Sequence, residues 1–147
     1  MMLCLAGALT GCATPPAPPA PAAAPIGPSI DPASLVGKWG LASYHNDTDK
    51  ARTEKAAAAQ CNKPFVITKG QTGGVMMHVA DQTEPQEVFV KKAADGRTFL
   101  GAEGPPGVVG DNEIISFDKS VLITNWVDPE VATRFGTMVY VRCKGKG

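Results

Sequence analysis

Between Leu35 and Arg142 the chain offers eight short strand-like stretches and only one long helical one, and this rhythm limits the possible folds more than any other feature. The stretches are Leu35 to Tyr44, Phe65 to Thr68, Val75 to Ala80, Glu87 to Lys91, Thr98 to Gly101, Glu113 to Asp118, Val121 to Trp126 and Thr137 to Arg142. They are rich in β-branched and aromatic residues and several alternate apolar with polar positions. Turn signals part several of them, at Lys69 to Gly74, at Ala94-Asp95-Gly96 and at Asp118-Lys119-Ser120. Such spacing predicts an antiparallel meander. Eight antiparallel strands carry two unpaired edges unless the sheet closes, so the expectation is an all-β fold, a small closed barrel, with an open sandwich as the other solution. An eight-stranded barrel has an interior that side chains fill or that holds one small ligand.

Two helical signals interrupt the meander. Thr48 stands where it could cap a helix over about Asp49 to Gln60, whose apolar face is only alanine and should pack shallowly on something flat. Asp128-Pro129 followed by Gly136 supplies an N-cap, a proline at the first helical position and a terminal glycine, which predicts a short helix before the last strand.

Ahead of this unit lies a segment that cannot fold. Residues 13–28 contain seven prolines, mostly among alanines, and no charge. Such a composition favours extended polyproline II, rising about 3.1 Å per residue. It could hold a domain roughly 50 Å from its point of attachment, or display a proline-rich ligand. Before it, an apolar run from Met1 ends in Leu9-Thr10-Gly11-Cys12. This resembles the lipobox of bacterial lipoproteins, in which the signal peptide is cut before the cysteine and the thiol is acylated. The resemblance implies residues 1–11 as signal, 12–30 as a lipidated tether and 31–147 as the barrel domain. It implies Cys12 as the lipidation site, and the membrane as a partner through that lipid. Ala13 follows the cysteine where some inner-membrane lipoproteins carry aspartate, so the outer membrane, facing the periplasm, is the expected address. The opening Met1-Met2-Leu3-Cys4 lacks the basic residues of a signal peptide, which points to a start inside a longer signal.

With Cys4 in the signal and Cys12 at the lipid, Cys61 and Cys143 remain as an even pair in a chain bound for an oxidising compartment. One disulfide is expected. A metal site is the alternative, but neither has a Cys-x-x-Cys partner or a nearby histidine. Fourteen basic and fourteen acidic residues balance and are dispersed, which excludes nucleic acid as a partner.

The signature Gly37-Lys38-Trp39 on the first strand, with Arg142 near the end of the last, resembles that of the calycins. There a Gly-x-Trp opens the barrel and a basic residue of the final strand packs over the indole. The resemblance implies a structural clasp at one end, by cation–π contact and donation to open carbonyls. Thr124-Asn125-Trp126 is a faint echo of a middle motif of the lipocalins, which belong to that group. In length and compartment the chain is similar to the small periplasmic metalloprotease inhibitors, eight-stranded barrels whose N-terminal segment enters the protease cleft. The cysteine positions and the helix after the first strand depart from that family.

Catalytic signals are poor. His45 opens His45-Asn46-Asp47-Thr48-Asp49, which lacks the oxygen ligands and glycine of a calcium loop and reads as helix capping. His78 lies in Val75 to Ala80 with Met76 and Ala80 on its face. Ser43, Ser116 and Ser120 have no glycine-flanked elbow. No enzyme, metal or cofactor is expected. The candidate binding residues are Met76 and His78, and Val108 and Val109 in the glycine-rich loop 101–110. The expected role is a non-enzymatic binding module for a small hydrophobic ligand or an envelope protein. A protease inhibitor and a structural spacer are the other readings.

Overall fold

A computed structural model describes residues 15–17 and 29–145. Its eight strands form one closed antiparallel barrel in the order of the chain. They are β1 (Gly37–Tyr44), β2 (Phe65–Lys69), β3 (Val75–Met77), β4 (Gln86–Lys92), β5 (Thr98–Gly101), β6 (Asn112–Phe117), β7 (Val121–Trp126) and β8 (Thr137–Arg142). A helix α1 (Lys50–Ala58) follows β1, and a short helix α2 (Pro129–Phe135) precedes β8. The closed barrel with one helix inserted after the first strand is the expected architecture. Cys4 and the lipobox through Cys12 lie outside the described residues, as does most of the proline-rich segment.

Trp39 and Leu41 of β1 face inward with Ile67, Val75, Met77, Val88, Leu100, Leu122, Met138 and Tyr140, and these side chains form one contiguous core. The first strand begins two residues later than expected. Pro32–Leu35 instead form a 3-10 turn capped by the Asp31 carboxylate, and Leu35 reaches the core from that turn. β3 also stops at Met77, short of the expected Ala80. In β6 a bulge between Ile114 and Ser116 pushes Ile115 outward, where it stands exposed.

Opposite the interior, Val139 and Val141 of β8 and Tyr44 and Ala42 of β1 face outward and are covered by α1 through Ala57. The contact is as shallow as an alanine face allows. Gly40 makes it possible, because a Cβ there would run into the Ala57 carbonyl. Thr48 does not cap this helix. Asp47–Asp49 form a 3-10 turn that leads into it, and the helix is steadied instead by Thr53 Oγ1 donating to the Asp49 carbonyl (2.9 Å) and by an Arg52–Asp49 ion pair (2.9 Å). A further 3-10 turn, Ala59–Asn62, carries Cys61 into a disulfide with Cys143 just after β8.

Candidate functional site

The two ends of the barrel differ. At the base, Trp39 is wholly buried and its Nε1 donates to the Leu35 carbonyl (2.9 Å). The Arg142 guanidinium lies 4.1 Å from the indole centroid. Its nitrogens donate to the carbonyls of Ser34 (2.5 Å), Val36 (3.0 Å) and Lys119 (2.7 Å). One cation thus satisfies the open backbone of the entry turn and of the β6–β7 turn, and covers the ring by cation–π attraction. Gly37 has φ +146°, and a Cβ on it would come within 2.7 Å of Arg142 Nη1, so the glycine is required twice over. The base is shut.

Around the opposite end the wall polarity changes. Asn112 of β6 is paired directly with Trp126 of β7, and Ile114 with Thr124. Asn112 shares its face with Leu100 across β5, and Ile114 belongs to the core, so Asn112, Thr124 and Trp126 all face inward. Asn112 Oδ1 and Trp126 Nε1 are buried and have no hydrogen-bond partner, and the buried Thr124 hydroxyl faces the Tyr140 phenol. The buried phenol of Tyr140 on β8 lies beside Thr124. Burial pushes its pKa up to about 12, with the Thr124 hydroxyl pulling the other way.

Over this mouth sits α2. Asp128 caps it, accepting from the amides of Glu130 (2.8 Å) and Val131 (3.3 Å), and Gly136 ends it at φ +71°. No residue of α2 is buried, though Phe135 approaches Trp126 with ring centroids 6.0 Å apart. Arg134 forms a two-pronged ion pair with Asp81 in the β3–β4 loop, at 3.1 and 2.6 Å. In an eight-stranded barrel the β3–β4 and β7–β8 connections are opposite each other, so this pair spans the mouth. His45 Nε2 meets the Thr133 carbonyl at 3.1 Å and ties α2 to the end of β1.

The loop 102–111 is built rather than loose. Lys91 and Asp111, 8% and 2% exposed, pair at 2.7 Å. Lys91 Nζ also donates to the carbonyls of Ala102 (2.9 Å) and Pro105 (3.0 Å), while Asp111 Oδ2 accepts from the amides of Gly107 (2.8 Å) and Val108 (3.3 Å). Every polar group of the pair is met, as burial of charge demands. The loop folds back on the outer wall over Phe99, and Gly101 is needed because a Cβ would strike Asp111.

The four candidate binding residues belong to separate surfaces. Met76 is half-buried on the outer face of β3, and His78 is exposed beyond its end, 6.4 Å from the Phe65 ring. Val108 and Val109 are 42% and 74% exposed on the folded-back loop. Gly37, Trp39 and Arg142 do come together at the base, and Cys61 and Cys143 beside it. The residues that sequence reading missed are Asn112, Thr124 and Trp126, together with Arg134, Asp81 and the Lys91–Asp111 pair. Of these, only Thr124 and Trp126 stand in a tripeptide that echoes a known motif.

A barrel clasped at one end by an arginine over a tryptophan, and lined with unpartnered polar atoms at the other, is the class of object the geometry defines. No protein-family model, curated protein or solved structure matches the chain.

Proposed function

We propose that this protein is a lipid-anchored binding module of the bacterial cell envelope, attached through Cys12, on the outer membrane facing the periplasm, and without catalytic activity. The observation that carries the reading is polar asymmetry. The segment arriving from the proline-rich tether, Asp31–Val36, is fastened to the closed base, so the mouth with its lining of Asn112, Thr124 and Trp126 is turned away from the tether. An anchored receptor for a small ligand with an apolar body is arranged in this way.

Both histidines make contacts within the fold. His45 meets a backbone carbonyl and His78 an aromatic ring, and neither has a serine or carboxylate beside it among the described contacts. An inhibitory arm ahead of β1 is less well supported, since Ile30 packs on the core and Ser34 and Val36 are held by Arg142. Expressed in a Gram-negative host behind a complete signal peptide, the wild-type chain should sediment with membranes and incorporate labelled palmitate. Cys12→Ser should do neither. Soluble, unlabelled wild-type protein overturns the anchor.

A further inference from the structure

We infer that the mouth half of the barrel is a site for a small neutral molecule whose head group both donates and accepts hydrogen bonds, a primary amide being the simplest case. This rests on the reading of the barrel as a binding module and names the chemistry it takes. Two buried side-chain atoms without partners, Asn112 Oδ1 and Trp126 Nε1, on facing positions of two neighbouring strands, are costly unless something meets them, each losing its hydration for nothing. They are also complementary. Trp126 Nε1 can only donate, Asn112 Oδ1 can only accept, and the Thr124 hydroxyl can do either. Asn112 and Trp126 are directly opposed across β6 and β7, so their Cβ atoms are about 5 Å apart. An amide offers a carbonyl to the indole and an N–H to the asparagine from one planar group. A carboxylate offers no donor to Asn112 Oδ1, and the core residues paired with or beside these positions, Leu100, Ile114 and Met138, carry no charge to meet it. A bare hydrocarbon leaves both atoms unmet.

Entry is through α2. The helix buries no residue, ends on a left-handed glycine and is held by an ion pair whose members are 45% and 57% exposed, by the His45–Thr133 contact and by the Phe135–Trp126 ring contact. Exposed pairs hold weakly, so this cover lifts without unfolding the barrel.

The chain has two tryptophans, and their indole N–H signals give a readout and a control in one spectrum. In the full-length Cys12→Ser protein, hexanamide should shift the Trp126 indole signal saturably and leave that of Trp39, bonded to Leu35 at the base, in place. Hexanoate should bind at least tenfold more weakly. Asn112→Leu with Thr124→Val should weaken hexanamide at least tenfold while the Trp39 signal reports an intact base; Asn112→Leu alone serves if the double variant loses that signal. If hexanamide leaves Trp126 unmoved up to its solubility, or binds the variants as well as the wild type, the two atoms hold ordered water only and the inference fails. Hexane-saturated buffer shifting Trp126 equally in wild type and variants would leave a binding barrel without this polar site. Saturable hexanamide binding in a protein that takes no palmitate would keep the site and remove the anchor.

Discussion

Replacing Trp39 by alanine removes the largest wholly buried side chain at the base and frees the Leu35 carbonyl, so a loss of about 3–5 kcal/mol is expected in chemical denaturation. Arg142→Met should cost about 2–3 kcal/mol, because three carbonyls lose a charged donor and the indole loses its cover. Arg142→Lys should recover little, since an ammonium cannot reproduce the planar fork that reaches two separate turns. The Lys91–Asp111 pair gives a second test at this scale. Lys91→Met strands a buried carboxylate and should cost about 3–5 kcal/mol. Adding Asp111→Asn should restore part of this, because a neutral amide oxygen still accepts from Gly107 and Val108. If the double variant is no more stable than Lys91→Met, charge burial is not the reason for the loss.

The elements show where sequence reading succeeded and where it could not reach. Strand alternation places Met138 and Tyr140 inside and Val139 and Val141 outside, and the alanine face of α1 covers the latter because helix and strand are tied at Cys61–Cys143. Closing a loop of 82 residues is worth about 4 kcal/mol in the chain-entropy model. Cys61→Ala with Cys143→Ala should therefore lower stability by about that much, and hydrogen exchange should show α1 losing protection before the barrel strands do. Equal loss across the barrel would mean that α1 is held by packing alone. The mouth was not legible in advance. Lys91 reads as a solvated strand residue until Asp111 arrives from the far side of a loop. Asn112 stands just outside the expected strand Glu113 to Asp118, and Thr124 and Trp126 stand in a tripeptide that only echoes a lipocalin motif, until the register sets Asn112 opposite Trp126. Arg134 and Asp81 are 53 positions apart, with nothing local to announce their pairing.

For the whole molecule, charge and burial set the range of pH over which the barrel stands. Backbone amides of Val121 and Ser120 hold the Asp118 carboxyl below its ordinary value. Arg134 does the same for Asp81, the Thr72 amide for Glu87, and the Arg97 amide for Asp95. Groups lowered in the folded state stabilise it above their unfolded pKa, near 4, and that stabilisation is lost as pH falls through the folded values. Stability should hold down to about pH 5 and decline below pH 4. At the alkaline end the sign reverses. Tyr140, raised to about 12 by burial, keeps its proton in the folded state while the unfolded chain releases it near 10. Stability should fall by about 2–3 kcal/mol between pH 10 and 12, and Tyr140→Phe should flatten that decline. A Tyr140→Phe variant with an unchanged alkaline profile would place the titrating group elsewhere.

The clasp at the base also decides how the protein meets mechanical force. In the anchored protein proposed above, any pull through the residues ahead of the barrel is delivered to Asp31–Val36. Arg142 passes that pull at once from the entry turn to the last strand, and Cys143, whose amide bonds the Lys38 carbonyl, passes it on through sulfur to Cys61. Tension that would otherwise peel β1 from β8, one rung at a time, is spread over both strands and a covalent bridge. Stretched singly by its N-terminal tether, the oxidised protein should resist as one body and the reduced protein should open at the β1–β8 seam, with the mouth the last part to feel it.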